Sequence, residues 1–281
     1  MVKSIAHLGP SGTYAETAAL AIAAILKEKT GREYSLSPCS SIAQTLYSTA
    51  SGKTDLTVVP VENSIHGSVA VTLDTMWELN GLQIQQGLDL PISHCLLSRG
   101  KALTGIKTIY SHPQALAQCQ KWLEKNLPDA RLIPTDSTTE AIQHLNQEPT
   151  AGAIASPRAS QLYDLPILAQ EINDYPDNCT RFWVVSLEKS GYGSHISLAF
   201  SFEENIPGIL VKPLQIFAQR DINLSRIESR PTKRTLGEYL FFIDLQGDMR
   251  ETRIKTGLQE LSNLTKVLKI FGNYNVLKIE S

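Results

Sequence analysis

Between residues 4 and 187 short apolar runs alternate with polar turns and helical stretches, and that repeated order limits the fold more than any other feature of the chain. The runs at 4–8, 34–36, 55–60, 88–97, 106–110, 131–134, 150–155 and 182–187 read as strands. Between them, helices are expected at 14–29, 41–51, 113–126 and 137–146, and after Ser156-Pro157, several opened by Ser or Thr, with Pro113 at a first helical position. Ser137 and Glu140 fit a capping box. Strand, polar turn, helix, repeated, predicts an α/β region with a largely parallel sheet, whose ligands bind beyond the carboxyl ends of the strands.

Polar residues gather at five such ends: Ser11 and Thr13; Glu62, Asn63 and Ser64; Ser111 and Gln114; Ser156; Thr180 and Arg181. Unpaired amides at a helix start suit a carboxylate. The segment 173–185, NDYPDNCTRFWVV, is the most suggestive, because a hydroxyl and a guanidinium at the mouth of a strand can hold a carboxylate or steady a departing oxygen. Plain capping and turn formation account for each place taken singly. Gly9-Pro10-Ser11-Gly12 has the spacing of neither a dinucleotide fingerprint nor a phosphate-binding loop. His94, inside the apolar run 88–97, reads as a structural histidine.

After Leu187 the polar, glycine-containing stretch EKSGYGS reads as a linker, and the pattern changes. Strands at 195–202, 223–228, 239–246 and 267–274 and helices at 208–220 and 252–264 give the order βαββαβ. That order describes a separate small domain with an open sheet edge, suited to pairing with a second copy of itself.

With 281 residues, 42% hydrophobic, 19% charged and a net charge of −2, the chain has globular composition and no bias toward nucleic acid or membrane. Its four cysteines form no Cys-x-x-Cys pair, and its six histidines show no zinc spacing. Free thiols in a reducing compartment, no structural metal and a cytoplasmic location are expected, since the first residues lack the apolar segment of a signal peptide.

Five motifs in this order, GPSGTYAETAA from Gly9, PVENSIHGSV from Pro60, SHPQALAQC from Ser111, DNCTRFWVV from Asp177 and IESRP from Ile227, resemble those of the monofunctional prephenate dehydratases with a C-terminal ACT regulatory domain. The resemblance covers nearly the whole chain. It implies a catalytic domain at 1–188, made of two α/β lobes with a cleft like the periplasmic binding proteins, and a ferredoxin-like ACT domain at 195–281. It further implies a reaction without cofactor, in which prephenate loses carbon dioxide and water to give phenylpyruvate. By motif, Thr180, Glu62, Asn63 and Gln114 are the expected catalytic residues, with Ser11, Thr13, Ser64 and Arg181 as substrate contacts. Gly208, Ile209, Leu210, Asn223, Leu224, Glu228, Ser229, Arg230 and Pro231 match the effector motifs, implying L-phenylalanine as feedback inhibitor of a homodimer or homotetramer. Ile209 departs from the smaller residue usual there. Arogenate, which differs by an amino-bearing side chain, is an alternative substrate, and a non-catalytic sensor of aromatic acids is a reading of another class.

Overall fold

The computed structural model describes residues 2–138, 140–146 and 148–279. The first lobe is built on a sheet in the order Val276–Lys278, Gln83–Pro91, Cys179–Ser186, Leu56–Asn63, Lys3–Leu8, Tyr34–Cys39, with Gly67–Ser68 pairing beside Leu56–Asn63. Helices Tyr14–Thr30, Ile42–Ala50 and Ala70–Glu78 cover it. Lys3–Leu8 runs parallel to both of its neighbours, whereas Cys179–Ser186 is antiparallel to both of its own. The second lobe carries the order Ile167–Ala169, Cys95–Leu97, Ala151–Ala155, Thr108–Ser111, Arg131–Pro134, again with one antiparallel strand inside. Both sheets are therefore mixed rather than largely parallel. The antiparallel strands are those by which the chain enters the second lobe and re-enters the first.

Those passages correct the single strand expected at 88–97. The strand of the first lobe ends at Pro91 and that of the second starts at Cys95. Asn173, on the returning segment, fastens the crossing: its amide nitrogen donates to the Ile92 carbonyl at 2.8 Å and its oxygen accepts the His94 amide at 2.6 Å. Ile172 N donates to His94 O, and Ile92 N to Asn178 O. An apolar run shows burial but not which of two sheets receives it, because residues between the lobes are as hidden as those within them.

The small domain has the expected βαββαβ order, His195–Ser201, Val211–Ala218, Leu224–Pro231, Tyr239–Gln246, Thr252–Leu264 and Val267–Tyr274, and Leu224–Pro231 is its outer strand. The two helices cover one face through Ile196, Leu198, Phe200, Leu245, Ile254 and Leu261. The other face is not exposed. Ala199, Leu240, Phe242, Phe271 and Tyr274 form one core with Val59, Val61, Met76 and Trp183 of the first lobe, and Trp183 Nε1 donates to Tyr274 Oη at 3.0 Å.

The domain read as 195–281 also does not keep its own end. Val276–Lys278 returns to the first lobe and pairs parallel with Gln83–Pro91. The linker is likewise a packed segment. Ser190 Oγ faces the Ile84 and Asn273 carbonyls, and a Cβ on Gly193 would collide with the main chain of Tyr274 and Asn275. Glycine stands there because main chain touches main chain. No helix among the described residues is long and apolar enough to cross a membrane.

Candidate active site

Thr180 and Asn63 lie opposite one another on neighbouring antiparallel strands, and a register shift is what brings them together. Val59 and Val61 face the core shared with the small domain, and simple alternation would send Asn63 the same way. Arg181 pairs with Glu62 but Phe182 pairs with Pro60, so Val61 is an extra residue on its strand. A bulge of this kind re-aims the side chains beyond it. Asn63 therefore turns to the face carrying Thr180 and Leu90, and Glu62 turns to the face toward the small domain.

Asn63 is buried and held in one orientation. Its side-chain oxygen accepts the amides of Ile65 and His66, each at 3.1 Å, so its amino end faces the other way. That end donates to Thr180 Oγ1 at 3.0 Å, to Asn178 Oδ1 at 2.8 Å and to the Cys179 carbonyl at 3.2 Å. Thr180 thus receives a hydrogen bond on its oxygen while its own proton remains free to donate.

The second lobe contributes Gln118. The helix expected at 113–126 is two helices, Pro113–Gln118 and Gln120–Asn126, because Asp174 of the returning segment caps the second by accepting the Lys121 and Trp122 amides. Gln118, at the end of the first helix, accepts from Asn178 Nδ2 at 3.1 Å and donates to His66 Nδ1 at 3.0 Å. It also lies 2.7 Å from His94 Nε2. Burial holds the His94 imidazole below its ordinary pKa of 6.5. Tyr14, the first residue of its helix, stands edge-on to that ring.

The structure thus joins Thr180 and Asn63 and adds Gln118, Asn178, His66, His94 and Tyr14. Gln118 lies inside the quoted SHPQALAQC motif, but the signal that separates it from Gln114 is the break after it, which depends on Asp174. Gln114 stands one turn earlier, exposed, and its side chain does not join this network; its amide donates to His112 Nδ1.

Glu62 is not brought to Thr180. It lies where its charge acts on Arg226, a small-domain residue over Trp183 that pairs with Asp244 and whose Nη1 is buried without a partner. Arg181, opposite Glu62, is spent in a two-pronged pair with Asp89 at 2.7 and 2.9 Å, which raises its pKa. Ser64 Oγ accepts the Cys179 amide, so it fastens the turn to the strand. Thr13 is the N-cap of its helix and donates to Leu8 O; Ser111 and Ser156 donate to the carbonyls of Ile154 and Gly12. The hydrogen bonds of these residues cap helices and fasten turns. The Ser11 carbonyl faces Tyr163 Oη at 3.5 Å, and Arg158 Nε lies 3.5 Å from Glu16, so the lobes also meet there.

Of the effector motif, Gly208 has φ +78°, the left-handed region that favours glycine, just ahead of Val211–Ala218. Ile209 and Leu210 are half-buried beside it. Asn223 is exposed and donates to Gln246 Oε1, next to Leu224 at the start of the outer strand. Glu228, Ser229, Arg230 and Pro231 end that strand, and Arg230 reaches across the domain boundary to Asp74 at 3.0 and 2.9 Å.

The prephenate dehydratase family model matches residues 5–190, and the ACT domain model matches residues 203–263. A prephenate dehydratase of Lactococcus lactis subsp. lactis (strain IL1403) is 36% identical over 98% of this chain and 98% of its own length. A bifunctional chorismate mutase/prephenate dehydratase of Aquifex aeolicus (strain VF5) is 39% identical over 96% of this chain and 73% of its own length. The crystal structure of a prephenate dehydratase from Arthrobacter aurescens in complex with L-Phe superposes with a TM-score of 0.85 at 33% identity, covering 97% of this chain and 90% of that one. The match runs through both lobes, the shared core and the small domain alike, and the chain belongs to the prephenate dehydratase family.

Proposed function

We propose that the cleft converts prephenate to phenylpyruvate, carbon dioxide and water, with Thr180 as the donor to the departing hydroxyl. The electrons of the bond to the ring carboxylate move through the ring diene and expel the ring oxygen, which takes a proton and leaves as water. Aromaticity drives both losses. The protein has to position the substrate and stabilise charge on the departing oxygen. The observation that carries this reading is the direction of the Asn63 hydrogen bonds, which supply Thr180 Oγ1 with a donor and leave its own proton unspent. A threonine hydroxyl is too weak an acid to give up its proton outright, so it stabilises or relays.

Feedback by L-phenylalanine fits the small domain. Two copies would meet along the outer strand Leu224–Pro231, on which Ile227 is exposed; Ile206, Val211 and Leu214 are further exposed apolar residues of the same domain. Of the amides following Gly208, those of Ile209 and Val211 donate to the Ile206 and Gly208 carbonyls, so it is the Leu210 amide that is offered to the amino acid's carboxylate, while Asn223 offers an oxygen to its ammonium group. Inhibition then requires that the effector bind one arrangement of the dimer better than another.

Steady-state turnover of prephenate and of arogenate, compared by kcat/KM, tests the reaction. Preference for prephenate is expected; preference for arogenate would reassign the substrate, and no turnover of either would favour a sensor. Calorimetric titration of L-phenylalanine into the full chain, beside sedimentation with and without it, tests the regulation; absence of binding would refute it.

A further inference from the structure

Beyond Thr180 the hydrogen-bond chain runs away from the cleft and ends on an imidazole in the crossing between the lobes. His94 is 3% exposed, and its main chain is fixed on both sides by Asn173 and Ile172. Its Nδ1 lies 3.1 Å from Tyr14 Oη, whose single proton is shared between that nitrogen and the Ser93 carbonyl at 2.7 Å. Its Nε2 lies 2.7 Å from Gln118 Oε1.

A carboxamide has two ends of the same shape and opposite hydrogen-bond character. Gln118 is held with its oxygen toward Asn178 Nδ2 and His94 Nε2, so its amino end meets His66 Nδ1. An amide N–H only donates. His66 Nδ1 also lies 3.3 Å from Asn63 Oδ1, but that oxygen already accepts two main-chain amides and the Gln118 contact is the shorter at 3.0 Å. The geometry thus favours a bare Nδ1, with the proton of the neutral ring on Nε2. A reversed Gln118 would set its amino group against that of Asn178 and oblige Asn178 to turn as well. Asn178 Oδ1, however, is the acceptor for Asn63, the residue that donates to Thr180.

We propose that His94 is a positioning residue: by donating from Nε2 to Gln118 it holds the carboxamide facing Asn178, and so sets the tautomer of His66 and steadies from the far end the Asn178–Asn63 pair, oriented by the Ile65 and His66 amides, that leaves the Thr180 hydroxyl free to donate. It touches no substrate atom. The inference rests on the reading of Thr180 as donor. An imidazole that merely filled the crossing would be replaceable by any side chain of similar size.

The test uses the full chain labelled with 15N-histidine. In the native protein at neutral pH the imidazole nitrogens of His66 and His94 should both report a proton on Nε2. In His94→Leu, His66 should become a mixture of tautomers, the pH profile of kcat should change, and kcat should fall on the order of 10- to 100-fold with far less change in KM. His94→Gln, whose amino group can stand in for Nε2–H, should restore the single tautomer and most of kcat. A proton on His66 Nδ1 in the native chain, an unchanged kcat in His94→Leu, or equal losses in the Leu and Gln variants would overturn the proposal. If His94→Leu does not fold, the native spectrum and His94→Gln decide. A native chain that turns over no prephenate would overturn the reaction assignment, while the tautomers still decide how Gln118 is held.

Discussion

Thr180 is placed by a register shift and oriented by a neighbour, so its contribution is separable from its volume. Thr180→Val removes the hydroxyl with little change in shape, and it should lower kcat by about 2.7–4 kcal/mol of transition-state stabilisation while KM and the unfolding midpoint stay close to native. Turnover within a few-fold of native would exclude Thr180 as donor. His94 has a second consequence. Its pKa is depressed by burial, so the unfolded chain binds its proton more readily than the folded one. The stability tied to the neutral ring is therefore complete above the ordinary value of 6.5 and is lost as pH falls toward the folded value. Tyr14 and Gln118 face the ring, and neither carries a charge that would hold a second proton there. Thermal unfolding between neutral pH and about pH 5 should show a steeper loss for the native chain than for His94→Gln; parallel curves would show that His94 is not responsible. At this scale the motifs drew attention to Thr180 and Asn63, which the structure sets side by side, but not to Gln118 or His94 as their partners. Gln118 differs from Gln114 only through a helix break made by the distant Asp174. His94 looks structural because its partners arrive from Tyr14 and Gln118, remote in sequence.

Two elements carry the join between regulation and catalysis. The outer strand Leu224–Pro231 alternates, so Arg226 and Arg230 face the first lobe while Ile227 is exposed. Arg230 and Lys233 both pair with Asp74 on the helix Ala70–Glu78, and the C-terminal carbonyls of that helix receive the Lys269 ammonium. These pairs hold the Asp74 carboxyl below its ordinary value despite its burial. Asp74→Ala should cost about 1–3 kcal/mol in chemical denaturation, because it leaves a partly buried guanidinium without its partner. It should also shift the L-phenylalanine inhibition curve, since the strand proposed to bind the effector loses its grip on the helix that follows the Asn63 turn. An unchanged inhibition curve would show that the effect travels by another route. Most of these elements were legible: Thr252–Leu264, Val267–Tyr274 and Tyr239–Gln246 were expected where they stand. The helix Ala70–Glu78 was not, because Val69 at its N-cap offers no side-chain bond to announce it and its buried face includes Thr72 and Thr75.

Over the whole molecule, the expectation of two lobes and a separate βαββαβ unit described the parts better than their attachment. Periodicity told which residues are buried; it did not tell that Phe242 and Tyr274 are buried against Val61 and Trp183 of another unit. A chain cut after Leu187 therefore uncovers an apolar face, each large side chain on it worth about 1.5–3 kcal/mol of burial. Such a fragment should be insoluble or aggregate at concentrations where the full chain is monodisperse by light scattering. A well-folded fragment with native turnover would show that the shared core is dispensable. The return of Val276–Lys278 to the edge of Gln83–Pro91 carries this further. During synthesis the sheet of the first lobe waits for a strand that follows the whole small domain, so a chain stopped before it leaves Gln83–Pro91 as a bare edge strand, a template for pairing with other unfinished chains. The small domain is thus made before the sheet that carries Thr180 gains its outermost strand.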